Sequence, residues 1–264
     1  MIYTKVKINK IVLSTIINYL FRKMIKNKIT NLNCIAIIIA RSQSKRIKNK
    51  NIKLFNNKPI ISYAINSALK SKIFDKVIVS TDSKKIKKLT EKYGVQVPFI
   101  RPKILSNSKA ITLDVIKHGL NFFLKNKIKF NFCCCIYPAT PFLKEKHLIK
   151  AFKILNNKEK INYVFAASEI DYSVDRMFQI KKNYIHETFN KNQKKKLVNK
   201  KFYRDIGQFY FGKAKSFLEK KDILNNNSIP IIFKKTEAID INTLDDWKFS
   251  ELIKKAKTLK LSKR

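Results

Sequence analysis

Cys34-Ile-Ala-Ile-Ile-Ile-Ala40 is followed at once by Arg41-Ser-Gln-Ser-Lys-Arg-Ile-Lys-Asn-Lys-Asn51. The first seven residues form an unbroken apolar run. That is the mark of a strand buried on both faces, as in a parallel sheet. The next eleven hold two arginines, three lysines and two serines. A basic loop at the carboxyl end of a buried strand lies where open α/β sheets bind ligands, and its side chains suit a chain of oxyanions such as a triphosphate. On composition alone, a solvated basic loop is the alternative.

Outward from this stretch, strands and helices alternate. Pro59 is expected to open a helix with Ile60, Ile61, Ala64, Ile65 and Ala68 on one stripe. Lys76 to Ser80 reads as a buried strand, and Ser83 to Tyr93 as a helix stopped by Gly94. Val95 to Ile100 reads as a third, shorter strand, and Thr112 to Lys125 as an amphipathic helix. Phe132 to Ile136 is a fourth strand and Lys146 to Leu155 a helix. Strand signals return at Tyr163–Ala167, Gln208–Gly212 and Ile229–Phe233, and Leu244 to about Leu259 is helical. The alternation predicts an α/β fold: a three-layer, Rossmann-like domain with a mostly parallel sheet between helices. The domain is expected over residues 34–256, with a small inserted lobe at about 168–205 and a basic tail at 257–264.

The chain has 264 residues, 45% of them apolar and 29% charged, enough to build a core. The formal net charge is +40, but lysine is spread over almost every segment rather than gathered on one face. That pattern argues for a compositional bias and against a nucleic-acid partner. Residues 1–33 form a basic extension with one apolar run, Ile11 to Phe21, too short to span a membrane. A genuine extension and a true start at Met24 both stay open. Cys34 and the run Cys133-Cys134-Cys135 have no metal-binding spacing and read as small buried residues in a reducing cytoplasm. His118, His147 and His186 lack partners in any catalytic or metal pattern. The aromatics from Phe202 to Phe217 read as core packing, with an RNA-stacking face as the rival.

Ala40, Arg41, Ser44, Lys45, Lys50 and Asn51 stand in register with the A-R-G-G-S-K-x-x-x-x-K-N loop of the sialic-acid-type cytidylyltransferases, which this sequence resembles. Pro59–Tyr63, Val79–Asp82, Phe99–Pro102, Thr112–Asp114, Cys134–Leu143 and Asp240–Trp247 resemble further motifs of that family, in the same order. Tyr137 and Asp205–Gly212 are similar to its pseudaminic acid branch. The resemblance runs from about Cys34 to Leu252. It implies transfer of CMP from CTP to the anomeric hydroxyl of a nine-carbon acidic sugar, with magnesium as cofactor.

The resemblance also implies roles. Arg41, Ser44, Lys45 and Lys50 would hold the triphosphate, against the backbone at Ala40. Asn51, Asp82, Arg101 and Thr112 would contact or orient the nucleotide. Tyr137, Gln208 and Phe209 would face the sugar, and Asp240 with Asn242 would hold the metal. Arg41, Lys50 and Asp240 are the expected catalytic residues. The lobe would pair two subunits as a homodimer and bring Lys195 to the partner's sugar; a solvated lysine run is the alternative for Lys195. No nucleic acid or membrane is expected. Ser42 and Gln43 replace two glycines of the motif, and Asn242 replaces a carboxylate. Three alternatives stay open: a sister enzyme for sialic or legionaminic acid, a basic RNA-binding protein, and an inactive relative.

Overall fold

A computed structural model describes residues 30–261 of the chain. The apolar run Ile11–Phe21 and the rest of 1–29 lie outside the described residues. The strands are β1 (Thr30–Ile39), β2 (Leu54–Phe55), β3 (Lys58–Pro59), β4 (Lys76–Ser80), β5 (Ile128–Ile136), β6 (Tyr163–Glu169), β7 (Phe178–Lys181), β8 (Tyr184–Glu187), β9 (Tyr203–Lys213) and β10 (Ser228–Ile232). The helices are α1 (Ile61–Ser71), α2 (Lys84–Glu91), α3 (Thr112–Lys125), α4 (Glu145–Asn157), α5 (Lys191–Leu197), α6 (Ala214–Leu218) and α7 (Leu244–Leu261).

Six strands form the central sheet in the order β10-β6-β9-β5-β1-β4. β1 pairs in parallel with β4 and β5, and β10 with β6; β9 runs antiparallel between β5 and β6. Five strands therefore point one way. The alternation of buried side chains divides the core. Cys34, Ala36, Ile38 and Cys134 pack with α1 and α4 on one face. Ile35, Ile37, Cys133 and Cys135 pack with α3 and α6 on the other. All four cysteines are buried and free, and burial pushes their thiols well above the ordinary range. Tyr203 near the start of the aromatic stretch is exposed, while Phe209, Tyr210, Phe211 and Phe217 are buried core. Each such side chain contributes about 1.5–3 kcal/mol on burial. Gly212 is required by close packing, because a Cβ there would stand 2.4 Å from the buried ring of Tyr163.

Several element boundaries differ from the sequence reading. β1 begins at Thr30, where its N–H bonds Lys127 O at 2.8 Å. Residues 30–33 thus belong to the sheet, and Asn33 and Cys34 donate their N–H groups to Asp75. Val95–Ile100 is not a strand. It makes only isolated bridges, Ile78 to Gln96 and Thr81 to Ile100, since Pro98 lacks the donor a ladder needs. Pro59 closes a hairpin rather than opening the helix; Asn56 and Asn57 take the left-handed backbone of its turn, at φ 45° and 65°. α7 runs on to Leu261, and Lys257 in its last turns bonds Thr236 O.

A third, smaller core positions the ligand loop. Ile47 from the loop, Phe55 from the hairpin, Ile60, and Ile241 and Trp247 from the end of the chain pack together. Phe55 meets the edges of both Tyr63 and Trp247. The cluster ties the basic loop to the segment that carries Asp240 and Asn242. The lobe leaves the sheet after β6, forms the β7–β8 hairpin and α5, and returns through β9, whose Tyr203–Asp205 pairs back onto β6 at Glu169–Ala167.

Candidate active site

The loop that follows β1 is held shut by its own side chains. Ala40 continues the sheet, its N–H bonding Ser80 O at 3.0 Å. Asn51 is buried and donates its amide to Arg41 O at 2.9 Å, drawing the ends of the loop together. Ser42 bonds Asp82 twice, from its N–H at 2.7 Å and from its hydroxyl at 2.5 Å. Ser42 and Gln43 are absent from the positive-φ residues, so the backbone here does not demand glycine. The Ser42 hydroxyl instead supplies an anchor.

Around this loop lies a cavity of about 690 Å³. One wall is cationic, formed by Arg41, Lys45, Arg46 and Lys50. Arg41 reaches across to Asn107 O at 2.9 Å. Lys50 is half-buried and donates to Ile241 O at 2.8 Å. Burial lowers its pKa, and Arg46 and Arg41 add to that while Asp240 opposes it. Arg46 bonds the amide oxygen of Asn242 at 2.6 Å, and Asn242 in turn donates to Asp240 at 2.6 Å. Another part of the lining is neutral. Thr112, the first residue of α3, shares a 2.8 Å hydrogen bond with the Tyr137 hydroxyl, whose pKa burial pushes up to about 12. Arg101 also lines the cavity, almost wholly buried and bonded to Ser106 at 3.1 Å; burial lowers its pKa too.

The structure thus brings together Arg41, Ser44, Lys45, Lys50, Asn51, Arg101, Thr112, Tyr137, Asp240 and Asn242 around one cavity. Five expected residues stand elsewhere, the first being Ala40, which is fully buried with its N–H spent on Ser80 O. Asp82 does not line it, because both carboxylate oxygens hold Ser42. Phe209 is fully buried against Phe233 in the core, facing away. Gln208 is buried with its amide on Glu237 O at 2.6 Å; it serves Tyr137 through its backbone carbonyl, at 3.0 Å. Lys195 sits on exposed α5, outside the cavity within one chain. Other lining residues, Arg46 and Gly207 among them, had no assigned role in the sequence reading. Arg46 stood in the basic loop without a partner to mark it. Gly207 takes φ 55° in β9, and a glycine inside a strand was the signal for it.

The metal expectation meets a mixed donor set. Among the described residues no cluster of three or more His, Cys, Asp or Glu side chains is arranged for a metal. Asp246 is engaged at the start of α7: its carboxylate accepts the N–H of Asn242 and Thr243, and its own N–H returns to the Thr243 hydroxyl. This reciprocal pattern is a helix cap. Asp240 stays exposed beside the cationic wall. One carboxylate plus substrate phosphates suits magnesium, which keeps several waters, so the residues fit a site with Asp240 as the anionic protein ligand.

Fold and cavity together define an α/β protein with a polyphosphate-sized cleft near the carboxyl end of β1. The family model described as cytidylyltransferase matches residues 35–258. The chain is 38% identical over 222 residues to a Helicobacter pylori protein named pseudaminic acid cytidylyltransferase and UDP-2,4-diacetamido-2,4,6-trideoxy-beta-L-altropyranose hydrolase, covering 83% of this chain but 42% of that one. It is 35% identical over 226 residues to the pseudaminic acid cytidylyltransferase of Campylobacter jejuni, covering 84% of this chain and 96% of the relative. A solved CMP:2-keto-3-deoxy-manno-octonic acid synthetase complexed with CTP shares the fold, with a TM-score of 0.64 at 10% identity over 86% of this chain and all of the other. The chain belongs to the cytidylyltransferase family.

Proposed function

We propose that the protein joins CMP from CTP to pseudaminic acid. The anomeric hydroxyl oxygen attacks the α-phosphorus, the bond from that phosphorus to the bridging oxygen breaks, the hydroxyl proton passes to solvent, and pyrophosphate leaves. The observation that carries this reading is the mixed lining of the cavity. Arg41, Lys45, Arg46 and Lys50 offer four cations to a triphosphate, while Tyr137 offers a neutral hydroxyl to the sugar and its bond to Thr112 draws that residue to the sugar's side, away from the nucleotide role the resemblance implied. Positioning and charge neutralisation supply most of the catalysis for such a displacement. Asp240 would hold magnesium, which adds positive charge at the reacting phosphates. The four free buried cysteines support a cytoplasmic setting. Among the described residues no helix is long and apolar enough to cross a membrane.

The test is pyrophosphate release from CTP against a panel of nonulosonic acids. Pseudaminic acid is expected to give the fastest rate and N-acetylneuraminic acid a rate at least about tenfold lower, the discrimination that a few sugar-contacting groups can supply. Equal or reversed rates would move the assignment to a sister enzyme of the family.

The lobe supports a homodimer. Phe178, Ile180 and Ile185 share one face of the β7–β8 hairpin, since Ile180 pairs directly with Ile185. All three are more than half exposed. A two-stranded hairpin with an uncovered apolar face is marginal alone. Sedimentation should show a dimer in the wild type and a monomer in the Ile180→Asp/Ile185→Asp double variant; a monomeric wild type would end this reading of the lobe.

A further inference from the structure

Tyr137 is held at three points. Its N–H bonds Gln208 O at 3.0 Å. Its hydroxyl meets Thr112 at 2.8 Å. Its ring meets Tyr210 edge-on, with centroids 5.8 Å apart and planes at 80°. Tyr210 is itself tied down, donating its hydroxyl to Asp205 Oδ2 at 2.5 Å. The other oxygen of Asp205 accepts the N–H of Gly207 at 2.8 Å.

Gly207 marks a bulge in β9. The pairing of β9 with β6 shifts register between Phe165 and Ala167, and Ile206 and Phe209 reach the same core face although three residues apart. Between those pairs β9 sets Ile206–Phe209 against Ala166 alone, three residues more than regular pairing allows, and glycine at positive φ accommodates the break. Gly207 also lines the cavity. One carboxylate therefore holds two parts of the neutral wall: the bulge directly and Tyr137 through Tyr210. Both of its oxygens are engaged, so Asp205 is built as an anchor rather than as a base for the reaction. The cationic wall hangs from other elements, β1 and the segment before α7.

The geometry points to Asp205 and Tyr210 as positioning residues for the sugar: they set the placement of Tyr137 and Gly207, and with it the affinity for the sugar, while leaving the nucleotide's site alone. This rests on the cytidylyltransferase reading above. The neutral wall suits hydroxyl and amide groups on the sugar rather than its carboxylate, since tyrosine and threonine hydroxyls pair with such groups without a charge to balance.

The experiment is steady-state kinetics with CTP and pseudaminic acid, read as separate KM values. Asp205→Ala and Tyr210→Leu are expected to raise the sugar KM about tenfold with the CTP KM within about twofold of wild type, the scale of one lost hydrogen bond. Asp205→Asn is expected to restore a near-normal sugar KM, because its amide still accepts from Gly207 and can donate to the Tyr210 oxygen. Tyr210→Phe keeps the ring and loses only the bond to Asp205, so it should show a smaller rise in the same direction even if the harsher variants fold poorly. A parallel rise in both KM values would show general loosening and overturn the inference. So would an Asp205→Asn enzyme as poor as Asp205→Ala with an altered pH profile, since the charge itself would then be in use. Wild-type protein that turns over no sugar of the panel would remove the parent reading, and this inference with it; failure of the inference alone leaves wild-type turnover intact.

Discussion

Replacing Lys50 by alanine is expected to lower kcat/KM for CTP by about 100- to 1,000-fold, the usual loss when one preorganised charge-stabilising donor is removed. Lys50 stands where the cationic wall meets Asp240, and its ammonium bonds Ile241 O at 2.8 Å. The side chain therefore joins the phosphate loop to the segment that carries the carboxylate. Lys50→Met keeps the apolar stem and loses only the charge, so it should be as inactive as the alanine variant. Its melting temperature should stay close to wild type, because the orphaned carbonyl borders an open cavity and water replaces the ammonium. Burial holds the Lys50 pKa below the ordinary lysine value. On the proposed reading the ammonium binds anions, so activity should be lost as pH rises through that lowered pKa. The alkaline limb of kcat/KM, which reports the free enzyme, should thus begin below the usual lysine range of about 10.4. In Lys50→Arg the guanidinium stays charged, and any residual activity should lack that limb. Full activity in Lys50→Met would remove Lys50 from the machinery.

Asp240→Ala is expected to reduce turnover by a similar or larger factor, about 1,000-fold, if it holds the cation that neutralises the reacting phosphates. The protein should stay folded, because Asp240 is exposed and its one described hydrogen bond is to Asn242. Asn242→Asp is the complementary change. The amide of Asn242 now bridges Arg46 and Asp240, accepting from one and donating to the other, each at 2.6 Å. A carboxylate at 242 would keep the bond to Arg46 and face Asp240 with like charge. Two close carboxylates repel unless a cation joins them, so magnesium should bind more tightly. The expected result is a several-fold lower magnesium concentration for half-maximal rate, and a matching shift in the magnesium-dependent melting temperature of the CTP-bound protein. Full activity in Asp240→Ala would show the metal assignment to be wrong. Unchanged magnesium dependence in Asn242→Asp would leave residue 242 as an anchor for Arg46 alone.

The fold was legible in the chain where burial on both faces leaves no choice of residue. Cys34–Ala40 and Cys133–Ile136 are apolar throughout because helices cover both sides of those strands, and the stripes of α1, α3 and α4 follow from a single buried face. The cationic wall was legible as well, since Arg41, Ser44, Lys45, Lys50 and Asn51 sit within one loop, where spacing along the chain sets spacing in space. Side-chain partnerships across the fold were not. Nothing local in the sequence couples Ser42 to Asp82, Arg46 to Asn242 or Lys50 to Ile241, because those contacts exist only after β1, β4 and the approach to α7 have been placed side by side. The facing of β9 was hidden for a related reason. Alternation in a strand predicts which side chains share a face only while the register is regular, and the break around Gly207 shifts it by three residues, an odd number that exchanges the faces. Phe209 went to the core, and Tyr210 came to lie against Tyr137. The sequence by itself determined the layers, the buried strands and the charge of the loop, because these depend on periodicity and on neighbours in the chain. Only the tertiary structure decided which carboxylates are free and which tyrosine packs against Tyr137, because contacts between distant segments depend on register and strand order.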